Sequence, residues 1–162
     1  MALWRGLRAG SLGVVSSDHC PFCLEEKKRL GAADFRLIPN GVPGVEHRLL
    51  LMYSEGVHEN RISLEKFVDL TSAAPARQFG LFPTKGTISA GSDADIVIFN
   101  PNGTTTISSQ SQKQRVDYTP YEGRTVHGSI EVVYLRGKVV ARDGQFVGKE
   151  SRGRFLVRSK FS

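Results

Sequence analysis

Apolar positions recur at helical spacing through the first half of the chain and alternate at strand spacing through the second, with the change near residue 80. Leu3, Trp4 and Leu7 share one face of a short helix, and Gly10 can end it. The run from Leu12 to Val15 reads as a buried strand. Leu24 to Leu30 reads as a helix, with Glu25 and Glu26 ahead of Lys27, Lys28 and Arg29, the order a helix dipole favours. Pro39-Asn40-Gly41 and Pro43-Gly44 mark a loop. Leu49, Leu50, Met52 and Tyr53 give a buried face to a helix from Val45 to Glu55, which Gly56 can stop. Ser63 can cap a helix that turns Leu64, Phe67, Val68 and Leu70 inward, and a further helix is expected from Pro75 to Gly80.

Beyond residue 80 the spacing predicts strands at 86–88 and 94–99, separated by the turn Ala90-Gly91-Ser92-Asp93. Ile130 to Leu135 and Lys138 to Ala141 flank Arg136-Gly137, and Asp143-Gly144 is the turn before Phe146. Asn100 to Asp117 is polar, a long surface loop with one strand embedded near Thr105–Ile107. One strand among several helices, followed by a small antiparallel unit, suggests a part of a larger α/β structure rather than two self-sufficient halves.

Composition narrows the class. The 162 residues are 40% apolar and 23% charged, as in a soluble globular protein. No run approaches the roughly 20 apolar residues of a membrane span, and Met1 to Arg8 reads as no signal peptide. The net charge of +6 is scattered, apart from Lys149, Arg152, Arg154, Arg158 and Lys160 in the tail. That cluster reads as a solvated or subunit-contacting tail, so neither a nucleic-acid nor a membrane partner is expected. Two closely spaced cysteines are not a disulfide framework, and a cytoplasmic location is the expectation.

Candidate chemistry gathers between Val14 and Leu24. Cys20-Pro21-Phe22-Cys23 at the start of a helix has the dithiol spacing of a glutaredoxin-like thiol redox protein, whose first thiolate the helix N-terminus would favour. Against it, Pro39 and Pro43 lie too close to Cys23 for that fold's proline loop. Packing at a strand-to-helix corner is the other reading of the cysteines. Asp18 stands at the end of the expected strand, where reacting groups of α/β barrels sit, although an Asp after a strand is more often a helix cap or turn residue than a metal ligand.

Ser17-Asp18-His19-Cys20-Pro21-Phe22 and the stretch from Ile38 to Arg48 resemble dihydropyrimidinases and D-hydantoinases of the amidohydrolase superfamily. So do Thr71 to Leu81, Lys85 to Val97, and Val116-Asp117-Tyr118 with Tyr121-Glu122-Gly123. The resemblance is to the C-terminal portion of that family. It implies the end of a (β/α)8 TIM-like barrel over residues 1–80 and part of a small β-sandwich, with a tail, over residues 81–162.

By that resemblance the activity is ring-opening hydrolysis of small cyclic amides, dihydropyrimidines or hydantoins, at a site with two Zn2+ ions in a homo-oligomer, a tetramer in the family. Asp18 matches the family's metal-binding aspartate, which also carries the proton from hydroxide to the leaving nitrogen. Asn40 matches the asparagine whose main chain holds the substrate ring, although a plain turn former explains the residue type as well. His19 is expected to orient the turn as a donor; His47, His58 and His127 are expected at the surface or in packing. The chain has no two histidines one residue apart, as the family's metal site requires. A fragment inactive by itself is therefore expected, with a non-catalytic piece docking on a longer relative as the alternative.

Overall fold

The computed structural model describes residues 1–148 and 153–159. Lys149, Arg152 and Lys160 of the basic tail lie outside the described residues. Among the described residues, all the α-helices fall before residue 80 and all the strands after residue 95.

Helix α1, Ala2–Ala9, ends at Gly10, whose left-handed backbone returns its N–H to the Leu7 carbonyl. The expected strand at Leu12–Val15 is not formed: the segment has no ladder partner among the described residues, and a strand exists only by pairing. Helix α2, Leu24–Gly31, carries its acidic residues first and its basic residues last, as its sequence predicts, and buries none of its side chains. A single 3-10 turn, Phe35–Leu37, leads into the loop that contains Asn40.

The two longer helical runs are continuous but change pitch. Helix α3, Arg48–Met52, goes on as a π-helical stretch, Tyr53–His58. Helix α4, Leu64–Val68, opens on Ser63, whose hydroxyl accepts the Lys66 N–H at 3.2 Å. It passes through a π stretch, Asp69–Ala73, into α5, Ala74–Gln78, so no break precedes Pro75. Pro75 has no N–H to give the carbonyl four residues back. The widened pitch just ahead of it, with Ala74 N–H on the Asp69 carbonyl, carries the helix past that gap.

The sheet is a four-stranded antiparallel meander, β1 Ile96–Thr106, β2 Thr125–Leu135, β3 Lys138–Arg142 and β4 Gln145–Phe146, in that order. Arg136-Gly137 and Asp143-Gly144 all have positive φ, the two-residue turn geometry that matches strand twist. The expected strand at 86–88 is absent, with Ile88 84% exposed. The strand expected near Thr105–Ile107 is instead the far half of β1. The register steps from Asn100 opposite Ser129 to Thr104 opposite His127, so Pro101, Asn102 and Gly103 face a single residue in a bulge.

Two apolar clusters hold helices and sheet together. Leu7, Tyr53, Ile62, Phe67 and Leu70 form one; Leu50, Ile107 and Val126 form the other, and Phe99 packs against both. Gly128, at φ 94°, lets this happen: a Cβ there would lie 2.3 Å from the Phe99 ring and 2.9 Å from Tyr53. Polar ties cross the same boundary. Ser54 Oγ accepts the His127 N–H at 3.1 Å, and Glu55 bridges Arg61 at 2.9 Å and Arg124.

Candidate active-site loops

Asp18 has a left-handed backbone, φ 44°, a conformation that Asp tolerates better than most residues and that recurs at functional sites. Its side chain is exposed and makes no hydrogen bond among the described residues, while its carbonyl takes the Cys20 thiol proton at 3.4 Å. Asn40 is also exposed and makes none among the described residues, through main chain or side chain.

The two expected site residues lie on segments that are tied together. Cys20 N–H donates to the Val42 carbonyl at 3.2 Å. His19 Nδ1 accepts the N–H of Gly44 at 3.1 Å and that of Val45 at 3.4 Å. His19 orients the turn, then, as an acceptor rather than the donor expected, because the opposing loop presents N–H groups. Gly41, at φ 83°, comes so close that a Cβ would lie 2.5 Å from Cys20 Sγ.

Sequence reasoning gave no role to two further residues. Lys27 on α2 donates from Nζ to the Pro39 carbonyl at 2.8 Å and to the Gly41 carbonyl, one on each side of Asn40. Asp117, from the long loop before β2, accepts the N–H of Leu24 at 2.6 Å and of Glu25 at 3.3 Å, capping α2 from 93 residues away. The Leu24 N–H, with help from Glu25, holds the Asp117 carboxyl below the usual aspartate range. Burial, with Asp117 and Cys20 nearby, pushes the Tyr118 hydroxyl up. Periodicity could mark Lys27 only as a face of a helix, and no sequence rule links it to position 117.

The redox reading of Cys20 and Cys23 loses its physical basis here. The helix N–H groups of Leu24 and Glu25, which a thiolate at the start of α2 would use, are taken by the Asp117 carboxylate. His47 is buried and edge-on to Tyr121, and His58 stacks on His127 with centroids 3.6 Å apart, so these three pack as expected.

A cavity of about 540 Å³ lies elsewhere, between Glu46, His47, Thr105, Ser129 and Asp143, and includes neither Asp18 nor Asn40. The tethered loops are the candidate site because they carry Asp18 and Asn40, the two residues that the sequence motifs single out. Among the described residues no three His, Cys, Asp or Glu side chains gather as a metal would need. The described residues taken alone therefore do not fit the two-zinc centre that the resemblance implies, and Asp18 is one donor without its companions.

The model of the amidohydrolase family matches residues 1–140, and the chain belongs to that family. Within it, the similarity is to the dihydropyrimidinases and D-hydantoinases. The D-hydantoinase of Ralstonia pickettii is 48% identical over 159 residues, and that of Streptomyces coelicolor 46% over 158, each across 98% of this chain. The crystal structure of a dihydropyrimidinase from Brevibacillus agri is 50% identical and superimposes over 99% of the chain with a TM-score of 0.95. An L-hydantoinase from Arthrobacter aurescens, 34% identical, matches 90% of it with a TM-score of 0.80.

The chain spans about a third of the length of these relatives, 34–35% for the D-hydantoinases. The superposition bears out the expected fold class, the end of an α/β barrel with part of a β-sandwich. No helix among the described residues is long and apolar enough to cross a membrane.

Proposed function

We propose that this chain is the C-terminal portion of a cyclic-amide hydrolase that opens dihydropyrimidine or hydantoin rings, with residues 1–80 ending its barrel and 81–162 belonging to its sandwich. The observation that carries this reading is the pairing of the two loops. The free carboxylate of Asp18 and the free main chain of Asn40 are held in one assembly by His19, Cys20 and Lys27.

In this reading the Asn40 main chain offers an N–H and a carbonyl to the complementary edge of a cyclic amide. Asp18 holds the proton that ring opening must deliver to the leaving nitrogen, a task suited to a carboxylate with both oxygens open. The family is metal-dependent, and zinc is the metal proposed. The described residues contribute only Asp18 to such a centre. The lack of companion donors also supports a chain that is inactive by itself. A cytoplasmic setting and a homo-oligomer, a tetramer in the family, belong to the same proposal.

The test is hydantoin and dihydrouracil hydrolysis by two proteins. One is the purified chain with added zinc. The other is a fusion of this chain to the portion of the Brevibacillus agri dihydropyrimidinase that it does not match. Turnover by the fusion alone is expected; turnover by the chain alone would overturn the claim of inactivity, and a folded but silent fusion would overturn the function.

A second reading, an assembly piece that docks on a longer relative, draws on exposed apolar side chains such as Leu3, Phe35 and Ile88. Co-purification with such a relative would favour it.

A further inference from the structure

Helix α2 is eight residues long and buries no side chain, and helices so short are marginal without outside support. Its support comes from two directions. At its start, Asp117 takes the N–H groups of Leu24 and Glu25, while Cys23, the residue in the capping position, makes no side-chain cap. Along its length, Lys27 reaches across to the carbonyls of Pro39 and Gly41 and lies 5.9 Å from the centre of the Phe22 ring.

An ammonium group bonded to these two carbonyls fixes the peptide group that enters the residue between them and the peptide group one step beyond it. That residue is Asn40, which keeps its own N–H and carbonyl unused among the described residues. Asp117 is itself anchored, because Gln112 Nε2 donates to the carbonyls of Val116 at 2.9 Å and Tyr118 at 3.1 Å, on either side of it.

We infer that Asp117 and Lys27 are positioning residues for the substrate loop: Asp117 sets the start of α2, and Lys27, carried by α2, holds the peptide groups around Asn40 in the orientation that meets the ring. The inference rests on the proposed role of Asn40. It adds a line of support that begins beyond β1 and ends at the substrate. Neither residue touches the substrate in this arrangement. Each acts through the backbone it holds.

Amide hydrogen exchange on the full 162-residue chain tests the clamp itself. The reporters are the Cys20 N–H on the Val42 carbonyl and the Gly44 N–H on His19. Lys27→Met is expected to speed exchange at both by roughly tenfold, the loss of one hydrogen bond, and Lys27→Arg to restore it. Asp117→Ala is expected to speed the same two amides and also those of Leu24 and Glu25. Unchanged Cys20 and Gly44 amides in both variants would overturn the inference. So would acceleration spread equally to the sheet amides of Val132 and Val133, which would make the two residues mere supports of the whole fold.

A kinetic arm in the fusion described above separates positioning from stability. Lys27→Met is expected to raise KM for hydantoin about tenfold with kcat held within about twofold, again restored by Lys27→Arg. A fall in kcat with KM unchanged would overturn it. If the unsubstituted fusion is silent, the reading of Asn40 fails, while the exchange results still decide whether the clamp exists.

Discussion

His19 accepts through Nδ1 the backbone N–H of Gly44, 25 residues further on, at 3.1 Å. This bond leaves the ring proton on Nε2 and makes the side chain a staple between the Asp18 turn and the Asn40 loop. His19→Asn, which keeps an acceptor near the Nδ1 position, is expected to retain the tie. His19→Ala is expected to cost about 1 kcal/mol, the net worth of one such bond. Urea unfolding of the two variants, read side by side, checks this; equal losses would mean that the acceptor is irrelevant.

Asp18→Asn keeps the size of the side chain and removes the charge and the proton-carrying oxygen. In the fusion, hydrolysis is expected to fall by roughly 10²–10⁴-fold with an unaltered far-ultraviolet spectrum. Activity within a few-fold of the parent would remove Asp18 from the chemistry.

Gly128→Ala forces a methyl group against Phe99 at a backbone φ of 94° that alanine tolerates poorly. The expected loss is about 2–3 kcal/mol in urea unfolding. Adding Phe99→Leu should recover part of it, and strict additivity of the two changes would show that the ring is not what the methyl meets.

Glu55 supplies the pH dependence. The Arg61 guanidinium, joined by Arg124 and opposed by partial burial, holds the Glu55 carboxyl below its ordinary value. A lowered folded-state value means a contribution that is complete above about pH 4.3, the ordinary glutamate value, and is lost as pH falls through the folded-state value beneath it. Glu55→Gln is expected to cost about 1 kcal/mol at neutral pH and to flatten that part of the stability curve. A mutant curve parallel to the parent's through the acid range would refute the assignment.

The elements most legible in the sequence were those fixed by neighbours along the chain. Ser63, Gly10, Arg136-Gly137 and Asp143-Gly144 act through local backbone geometry, and each sits where its residue type predicts. Leu12–Val15 and the 86–88 segment have strand-like spacing and form no strand, because apolar spacing reports burial tendency while pairing depends on a partner. The bulge at Pro101–Gly103 hid the length of β1, since polar and turn-forming residues stand inside a strand.

Asp18 and Asn40 are singled out in the sequence by the motifs around them, not by their residue types. The contacts of Lys27 and Asp117 are not legible in the sequence, because each bonds a backbone group distant along the chain. The sequence predicts a donor at His19, and the facing N–H of Gly44 makes Nδ1 an acceptor instead.

Phe99 has one consequence for how the molecule comes apart. Its ring packs against both apolar clusters, which couples the loosening of one to that of the other. The helical segment and the meander should melt in one transition, and a chain cut anywhere between residues 80 and 96 should yield two pieces that are each protease-sensitive. Evolution or engineering that tried to shed the sheet would take the helices' stability with it.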